Sequence, residues 1–280
     1  MTARGASRST YLLPKAKTID AASFLAPTII RHASLVSTND EAMRLAREGH
    51  GGGVWVVADE QTGGRGRHGR AWSSPPGNLH ASLLLIDPAP VVRAPELGFV
   101  AGVALAQALR ETLDTLAVKI KWPNDMVVEG AKLSGLMLEG STLPDGRFAC
   151  IIGFGVNCAS HPAGLSYPAT HLDAIAGRGI APGEVLARLS RNMGHWLGLY
   201  QRGGNFALVR ETWLSMAAGL GGPLRVRTPS AALDGIFRTI DEKGRLVLVH
   251  DGATIHVEAG DVFLPSVSQV LEHPLAPPPE

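Results

Sequence analysis

Three arginines alternate with small residues in Gly63-Gly64-Arg65-Gly66-Arg67-His68-Gly69-Arg70. Guanidinium groups grip phosphate oxygens two at a time, and a backbone this free of side-chain bulk can fold them onto an anion. Gln61 and Thr62 precede the run. Trp72 follows it, with an indole able to stack on a base or cover an apolar ligand. Further along, Lys121-Trp122-Pro123-Asn124-Asp125 ends an apolar stretch with a polar insert. Asp125 is there a candidate Mg2+ ligand, directly or through water, and Asn124 a candidate contact to a triphosphate or a ribose. Lys132-Leu133-Ser134-Gly135 sets a cation beside a glycine that lets a ligand approach the backbone, and Gly153-Phe154-Gly155-Val156-Asn157 repeats that theme. Together these residues suit a site where a phosphorylated intermediate is made and then enclosed. Each motif also has a plain structural reading: a solvated hairpin, an Asx-Pro style turn and a solvated lysine.

Two common phosphate-binding arrangements do not fit. Gly64-Arg65-Gly66-Arg67-His68-Gly69 matches GxGxxG in form, but a dinucleotide site also needs a helix directly after the last glycine. Arg70-Ala71-Trp72-Ser73-Ser74-Pro75-Pro76-Gly77 follows instead and cannot open one. No GK[ST] follows the glycines, so the run is not a P-loop.

The elements that must hold these residues are legible in the apolar pattern. Ser37-Thr38-Asn39-Asp40-Glu41 reads as a helix start, and Gly49 to Gly53 ends that helix. Val54 to Ala58 and Leu79 to Ile86 read as strands, with a turn at Ser74 to Asn78 between them. Glu96 to Leu116 reads as a helix with Phe99, Val103, Ala106, Leu109 and Leu113 on one stripe. Val118 to Trp122, Leu133 to Glu139 and Phe148 to Asn157 read as strands, and Gly183 to Tyr200 and Asn205 to Met216 as helices. Past Gly219 the pattern changes. Leu224 to Arg227, Gly235 to Ile240, Leu246 to His250, Thr254 to Val257 and Asp261 to Leu264 are short strands without helices between them, which predicts a small β-barrel. The expected organisation is an extension over 1–26, an α/β catalytic domain over 27–218, a small all-β domain over 219–267 and a disordered tail over 268–280.

The chain has 280 residues, 45% of them hydrophobic, enough for one large and one small domain. Its 26 basic and 25 acidic residues leave a net charge of +1, so the arginine run is local and no general nucleic-acid surface is expected. Cys150 and Cys158 form no CxxC pair and no zinc-like cluster, and read as ordinary thiols of a reducing cytoplasm. No apolar run reaches bilayer length, and the N-terminus has no continuous apolar core of a secretory signal.

Taken together, Ser37-Thr38-Asn39, Gln61 through Arg70, Lys121 through Asp125, Lys132-Leu133-Ser134-Gly135-Leu136 and Gly153 through Asn157 resemble, in this order, the signature segments of biotin–protein ligases. The resemblance covers about residues 30–266, and the C-terminal strands look like that family's SH3-like domain. It implies a mixed α/β fold related to class II aminoacyl-tRNA synthetases and lipoate ligases. It implies a two-step reaction with ATP, Mg2+ and biotin, giving biotinyl-5′-AMP and then a biotinylated lysine on a biotin carboxyl carrier protein of acetyl-CoA carboxylase or a related carboxylase. By motif position, Lys132, Arg65 and Arg67 are the expected catalytic residues. Ser37, Thr38, Asn39, Gln61, Gly64, Arg65, Lys132 and Gly135 are expected on the biotin side. Arg67, Arg70, Trp72, Asn124, Lys132 and Asn157 are expected on the nucleotide side, with Asp125 as the Mg2+ candidate. The loop over 62–72 is expected to be a lid that orders on ligand binding. Family members often dimerise through an exposed sheet edge, so a homodimer is a further expectation.

Two departures matter. His68 stands where many relatives carry arginine, so the loop is expected to hold an adenylate less tightly. No helix-turn-helix pattern precedes Ser37, which suggests a ligase that does not repress transcription. The nearest enzymatic rival, a lipoate ligase, lacks support because Gly51-Gly52-Gly53-Val54 continues as Trp55-Val56-Val57 instead of a His-Asp pair. A nucleic-acid-binding module built on the Arg/Gly loop is the alternative from another class; near-neutral charge and the absence of flanking aromatics argue against it.

Overall fold

The computed structural model describes residue 24 and residues 26–202, 206–228 and 231–264. The expected tail, and most of the expected N-terminal extension, lie outside these residues. Phe24, placed within that extension, is instead core: it is 3% exposed and its carbonyl accepts a hydrogen bond from Ser190.

The chain order is β1 (Thr28–Leu35), α1 (Thr38–Arg47), β2 (Val54–Gln61), β3 (Leu79–Ile86), α2 (Glu96–Leu113), β4 (Lys119–Lys121), β5 (Asp125–Val128), β6 (Ala131–Thr142), β7 (Phe148–Val156), α3 (Leu172–Ala176), α4 (Pro182–Gln201) and α5 (Phe206–Ser215). Five strands follow: β8 (Pro223–Arg227), β9 (Ala232–Ile240), β10 (Leu246–His250), β11 (Ala253–Val257) and β12 (Asp261–Phe263).

The first sheet has seven strands in the order β1-β2-β3-β7-β6-β5-β4. It is mixed, because β1 pairs parallel to β2 while the remaining neighbours are antiparallel. Alternation along β2 and β3 sends side chains to opposite faces. Val54, Val56, Leu84 and Ile86 meet Ala42, Leu45 and Ala46 of α1 on one face. Trp55, Val57, Leu83 and Leu85 meet the core beneath α2 and α4 on the other. Every residue of β3 is buried, which its central position requires. Both helical layers exist because each sheet face is apolar and must be covered.

Several expectations shift. β1 lacks a recognisable signal because His32, Arg31 and Ser34 interrupt its apolar residues on an edge strand. The polar insert at 122–124 is the turn of a hairpin, so Asp125 opens β5 and pairs with Lys121 instead of ending a strand. The Trp122–Pro123 peptide is cis. α2 stops at Leu113, where Asp114 takes a left-handed conformation. The C-terminal strands form an antiparallel sheet in the order β11-β10-β9-β8-β12. Among the described residues no pairing joins β11 to β12, so this is an open SH3-like sheet and not a closed barrel.

The two sheets meet beside the polar motifs. The Trp122 indole N–H donates to the Gly244 carbonyl at 3.1 Å, at the turn between β9 and β10. Asp241 shapes that turn. Its burial would raise the carboxyl, but hydrogen bonds from Arg245, Lys243 and His256 outweigh this and bring it to about 2. Gly244 has φ +79° and packs its Cα on Phe99 of α2, where a side chain would collide.

Candidate active site

Ser37 caps α1, its hydroxyl accepting from the Asp40 N–H at 3.4 Å, so the expected ligand contact is spent at least partly on the helix start. That start aims Thr38 and Asn39 at β3. Thr38 donates to Gln61 Oε1 from its backbone N–H at 2.8 Å and from its hydroxyl at 3.0 Å. Gln61 Nε2 donates to Ser74 Oγ at 2.8 Å. Ser82 Oγ lies 2.7 Å from Thr38 Oγ1 and 2.5 Å from Asn39 Oδ1, and Asn39 Nδ2 donates to Glu139 at 2.6 Å. The result is a buried polar cluster at the end of β2, in which each side chain is oriented by another. Ser82 and Glu139 were not singled out from sequence. A hydroxyl in the apolar run of β3 was the available signal for Ser82; Glu139 at the end of an apolar strand gave none.

The arginine run is a folded hairpin. Trp72 N–H donates to Gly64 O at 2.9 Å, Gly66 N–H to Arg70 O at 2.7 Å, and Arg65 and Ala71 form an antiparallel bridge. His68 and Gly69 both take positive φ at the tip, +56° and +72°. The segment expected as an open loop is thus closed by its own backbone and anchored by its guanidinium groups. Gly64 packs so closely on Ser74 Oγ and Trp72 O that a Cβ would come within 2.6 Å of both.

Arg65 docks on the large domain, while Arg67 and Arg70 both reach the Gly260–Asp261 segment. Arg65 makes two hydrogen bonds to Asp40, at 2.8 and 2.6 Å, and lies 3.8 Å from Glu139. These bonds hold the Asp40 carboxyl below its ordinary range and push the Arg65 pKa up. Arg67 donates to Asn124 Oδ1 at 3.5 Å and Gly260 O at 3.3 Å. Burial pulls its pKa down, against the charges of Asp261 and Asp125. Arg70 donates to Asp261 at 2.9 Å.

Lys132 lies at the start of β6, with Nζ 2.7 Å from Asp125 Oδ1. Its ammonium also faces the rings of Trp72 and Tyr167, at 5.5 and 5.6 Å from their centroids. Tyr167, on the loop after β7, carried no sequence signal. Lys121 approaches the other Asp125 oxygen at 3.6 Å. Gly135 is where these groups converge. A Cβ there would stand 3.3 Å from Asp125 Oδ1, 3.5 Å from Trp72 and 3.6 Å from the Lys132 stem. Across the β6–β7 pair, Gly155 is opposite Gly135 and carries the Trp72 indole on its bare face; Gly153 does the same for Asn39. This is the reason for glycine at both positions of Gly153-Phe154-Gly155. The indole N–H of Trp72 is buried and finds no hydrogen-bond partner among the described residues.

The asparagines are positioned by backbone. Asn124 Nδ2 donates to Leu136 O at 2.6 Å, leaving Oδ1 to Arg67. Asn157 is buried and its Nδ2 donates to Thr170 O at 3.0 Å. Both Asp125 oxygens face lysines, and among the described residues no group of three His, Cys, Asp or Glu side chains could hold a metal. Burial pushes the Cys150 and Cys158 thiols up to about 12, which keeps both protonated and unreactive at neutral pH. No helix among the described residues is long and apolar enough to cross a membrane.

Comparison with known proteins bears on this geometry. A sequence-family model described as the biotin/lipoate A/B protein ligase family matches residues 34–157, and one described as the biotin protein ligase C-terminal domain matches residues 219–264. A biotin–[acetyl-CoA-carboxylase] ligase of Paracoccus denitrificans is 39% identical over 233 residues, covering 81% of this chain and 96% of the relative. The structure of an Aquifex aeolicus biotin protein ligase in complex with biotin and ATP superposes with a TM-score of 0.71 at 26% identity, covering 84% of this chain and 97% of that one. A Leishmania major biotin protein ligase in complex with biotinyl-5-AMP superposes with a TM-score of 0.60 at 26% identity, covering 83% of this chain and 99% of that one.

Proposed function

The chain belongs to the biotin/lipoate A/B protein ligase family, and from that premise we infer that it is an ATP-dependent biotin–protein ligase. In the first step a biotin carboxylate oxygen attacks the α-phosphorus of ATP, the bond to the β-phosphate breaks, and biotinyl-5′-AMP and pyrophosphate result. In the second step a lysine amine of a carboxyl carrier protein attacks the acyl carbon. AMP leaves, the amine loses a proton, and an amide remains.

The observation that carries this reading is the convergence of Lys132, Asp125 and Trp72 over the bare face of Gly135. A carboxylate and a triphosphate repel, so the first step needs fixed positive charge at the point of attack. Lys132 is suited to bridge the biotin carboxylate and the α-phosphate. Asp125 orients it without neutralising the site, because Lys121 shares the same carboxylate. Arg65, Arg67 and Arg70 are suited to the phosphates and the adenylate.

The polar cluster of Thr38, Asn39, Gln61 and Ser37 is suited to the ureido end of biotin, with Gly64 and Gly135 as close-approach positions. Trp72 covers the chain between the two ends, and Asn124 and Asn157 border the nucleotide side. Mg2+ arrives with ATP as MgATP, and Asp125 is the candidate carboxylate to meet it, directly or through water. The carrier is a biotin carboxyl carrier domain of acetyl-CoA carboxylase or a related carboxylase. The edge strand β1 is the surface suited to a homodimer.

The test is transfer of labelled biotin to a purified carrier domain with MgATP. Label is expected to become covalent on wild-type carrier, and neither on a carrier whose acceptor lysine is arginine nor when lipoate replaces biotin. Transfer of lipoate in preference to biotin contradicts the assignment.

A further inference from the structure

We propose that Asp261, on the last strand of the C-terminal sheet, is a positioning residue for ATP, acting through the arginine hairpin. The proposal rests on the ligase reading and adds a role for the small domain within it.

Arg65 docks on α1, within the large domain. The other two arginines reach the C-terminal sheet, Arg67 while also donating to Asn124 of the large domain. Arg70 donates to Asp261 at 2.9 Å, and Arg67 donates to Gly260 O at 3.3 Å with its Nη1 also 4.0 Å from Asp261. One carboxylate therefore faces Arg70, Arg67 and His68, all from the hairpin tip. Those charges, led by the Arg70 hydrogen bond, hold the Asp261 carboxyl low against its own burial. Arg67 is the more dependent partner. Its side chain is only 21% exposed, and its neutral acceptors lie at 3.3 and 3.5 Å. A half-buried guanidinium with long hydrogen bonds relies on nearby carboxylates to stay in place.

The segment that carries Asp261 is paired and closely packed. Asp261 pairs with Arg227 in the β8–β12 register, and a Cβ on Gly260 would stand 2.8 Å from Val226 and 3.0 Å from the Arg227 carbonyl. The Arg227 guanidinium lies on the Phe263 ring at 5.1 Å, on the same short strand pair. The β11–β12 turn thus fixes where Asp261 stands, and Asp261 fixes the hairpin tip. On this account the C-terminal sheet sets the pose of the two arginines assigned to the nucleotide, while the Thr38–Asn39–Gln61 cluster is held within the large domain by Ser74, Ser82 and Glu139.

The experiment is steady-state biotin-dependent ATP–pyrophosphate exchange, reading KM for ATP and for biotin separately in wild type, Asp261→Asn, Asp261→Glu, Arg70→Gln and the double variant Asp261→Asn/Arg70→Gln. Asp261→Asn is expected to raise KM for ATP about tenfold, as the loss of a charge-assisted hydrogen bond implies, with KM for biotin within about twofold. Asp261→Glu is expected to recover most of the loss. The double variant is expected to fall well short of the product of the single effects, because both act on one contact. An unchanged or lowered KM for ATP in Asp261→Asn, equal changes in both KM values, or multiplicative effects in the double variant overturn the proposal. If Asp261→Asn does not fold, the same KM split in Arg70→Gln with recovery in Arg70→Lys supports it, and equal changes in both KM values overturn it. Absence of exchange in wild type is a different result: it rejects the ligase reading on which the proposal stands.

Discussion

A cation is useful to two mutually repelling anions only if it is already in place when they arrive. The Lys132 ammonium meets that condition, held 2.7 Å from Asp125 and bordered by the rings of Trp72 and Tyr167. Lys132→Ala is therefore expected to lower the rate of acyl-adenylate formation by about 10²–10³, with a smaller effect on binding of biotin. Single-turnover formation of biotinyl-5′-AMP measures it, and a variant within a few-fold of wild type contradicts the role. Lys132 could be singled out from sequence because its motif stands next to a glycine. Its partners could not all be found that way. Asp125 is visible in its motif, but nothing in the sequence says that Lys121 and Lys132 come to the same carboxylate. Asp40, Glu139 and Asp261 are ordinary surface-type acids until the fold sets an arginine or an asparagine beside each.

The element that decides access is the hairpin over 64–72. Its backbone hydrogen bonds and three arginine anchors close it, but every anchor is an ion pair or polar contact at least partly exposed to water. Such contacts are individually weak, so the hairpin can open to admit ligands and close again over them. A lid also has a chemical purpose, because a mixed anhydride hydrolyses in water. Trypsin reads this element directly, since its sites are the arginines themselves. Cleavage after Arg65, Arg67 and Arg70 is expected to slow about tenfold when biotin and ATP are both present, as ligand binding suppresses local opening. Equal cleavage with and without ligands contradicts the lid. At this scale the sequence was informative where patterns are regular. The Ser37 cap, the buried run of β3 and the alternating C-terminal strands follow local rules. β1 and β5 do not. One is an edge strand with polar interruptions, and the other is four residues long and begins inside the motif that hid it.

At the scale of the molecule, two sheets share the work. The seven-stranded sheet lays the Gly135 and Gly155 faces side by side, and the open C-terminal sheet supports the motif turn through Gly244 and the hairpin tip through Gly260 and Asp261. The α/β class and the change to short strands past Gly219 are readable from periodicity and turn spacing, while the mixed sheet follows only from the family resemblance. The open edge of the second sheet was not, because closure depends on pairing between β11 and β12, which lie far apart across the sheet order. The account of this assembly reduces to one chemical claim: fixed positive side chains hold a carboxylate against an α-phosphate until they join. Biotin-dependent exchange of labelled pyrophosphate into ATP by the purified protein is the most direct measurement of that claim. Exchange is expected with biotin and MgATP in the absence of any carrier, and not when biotin is omitted or lipoate is substituted. A protein that binds both substrates and yet exchanges no pyrophosphate contradicts it.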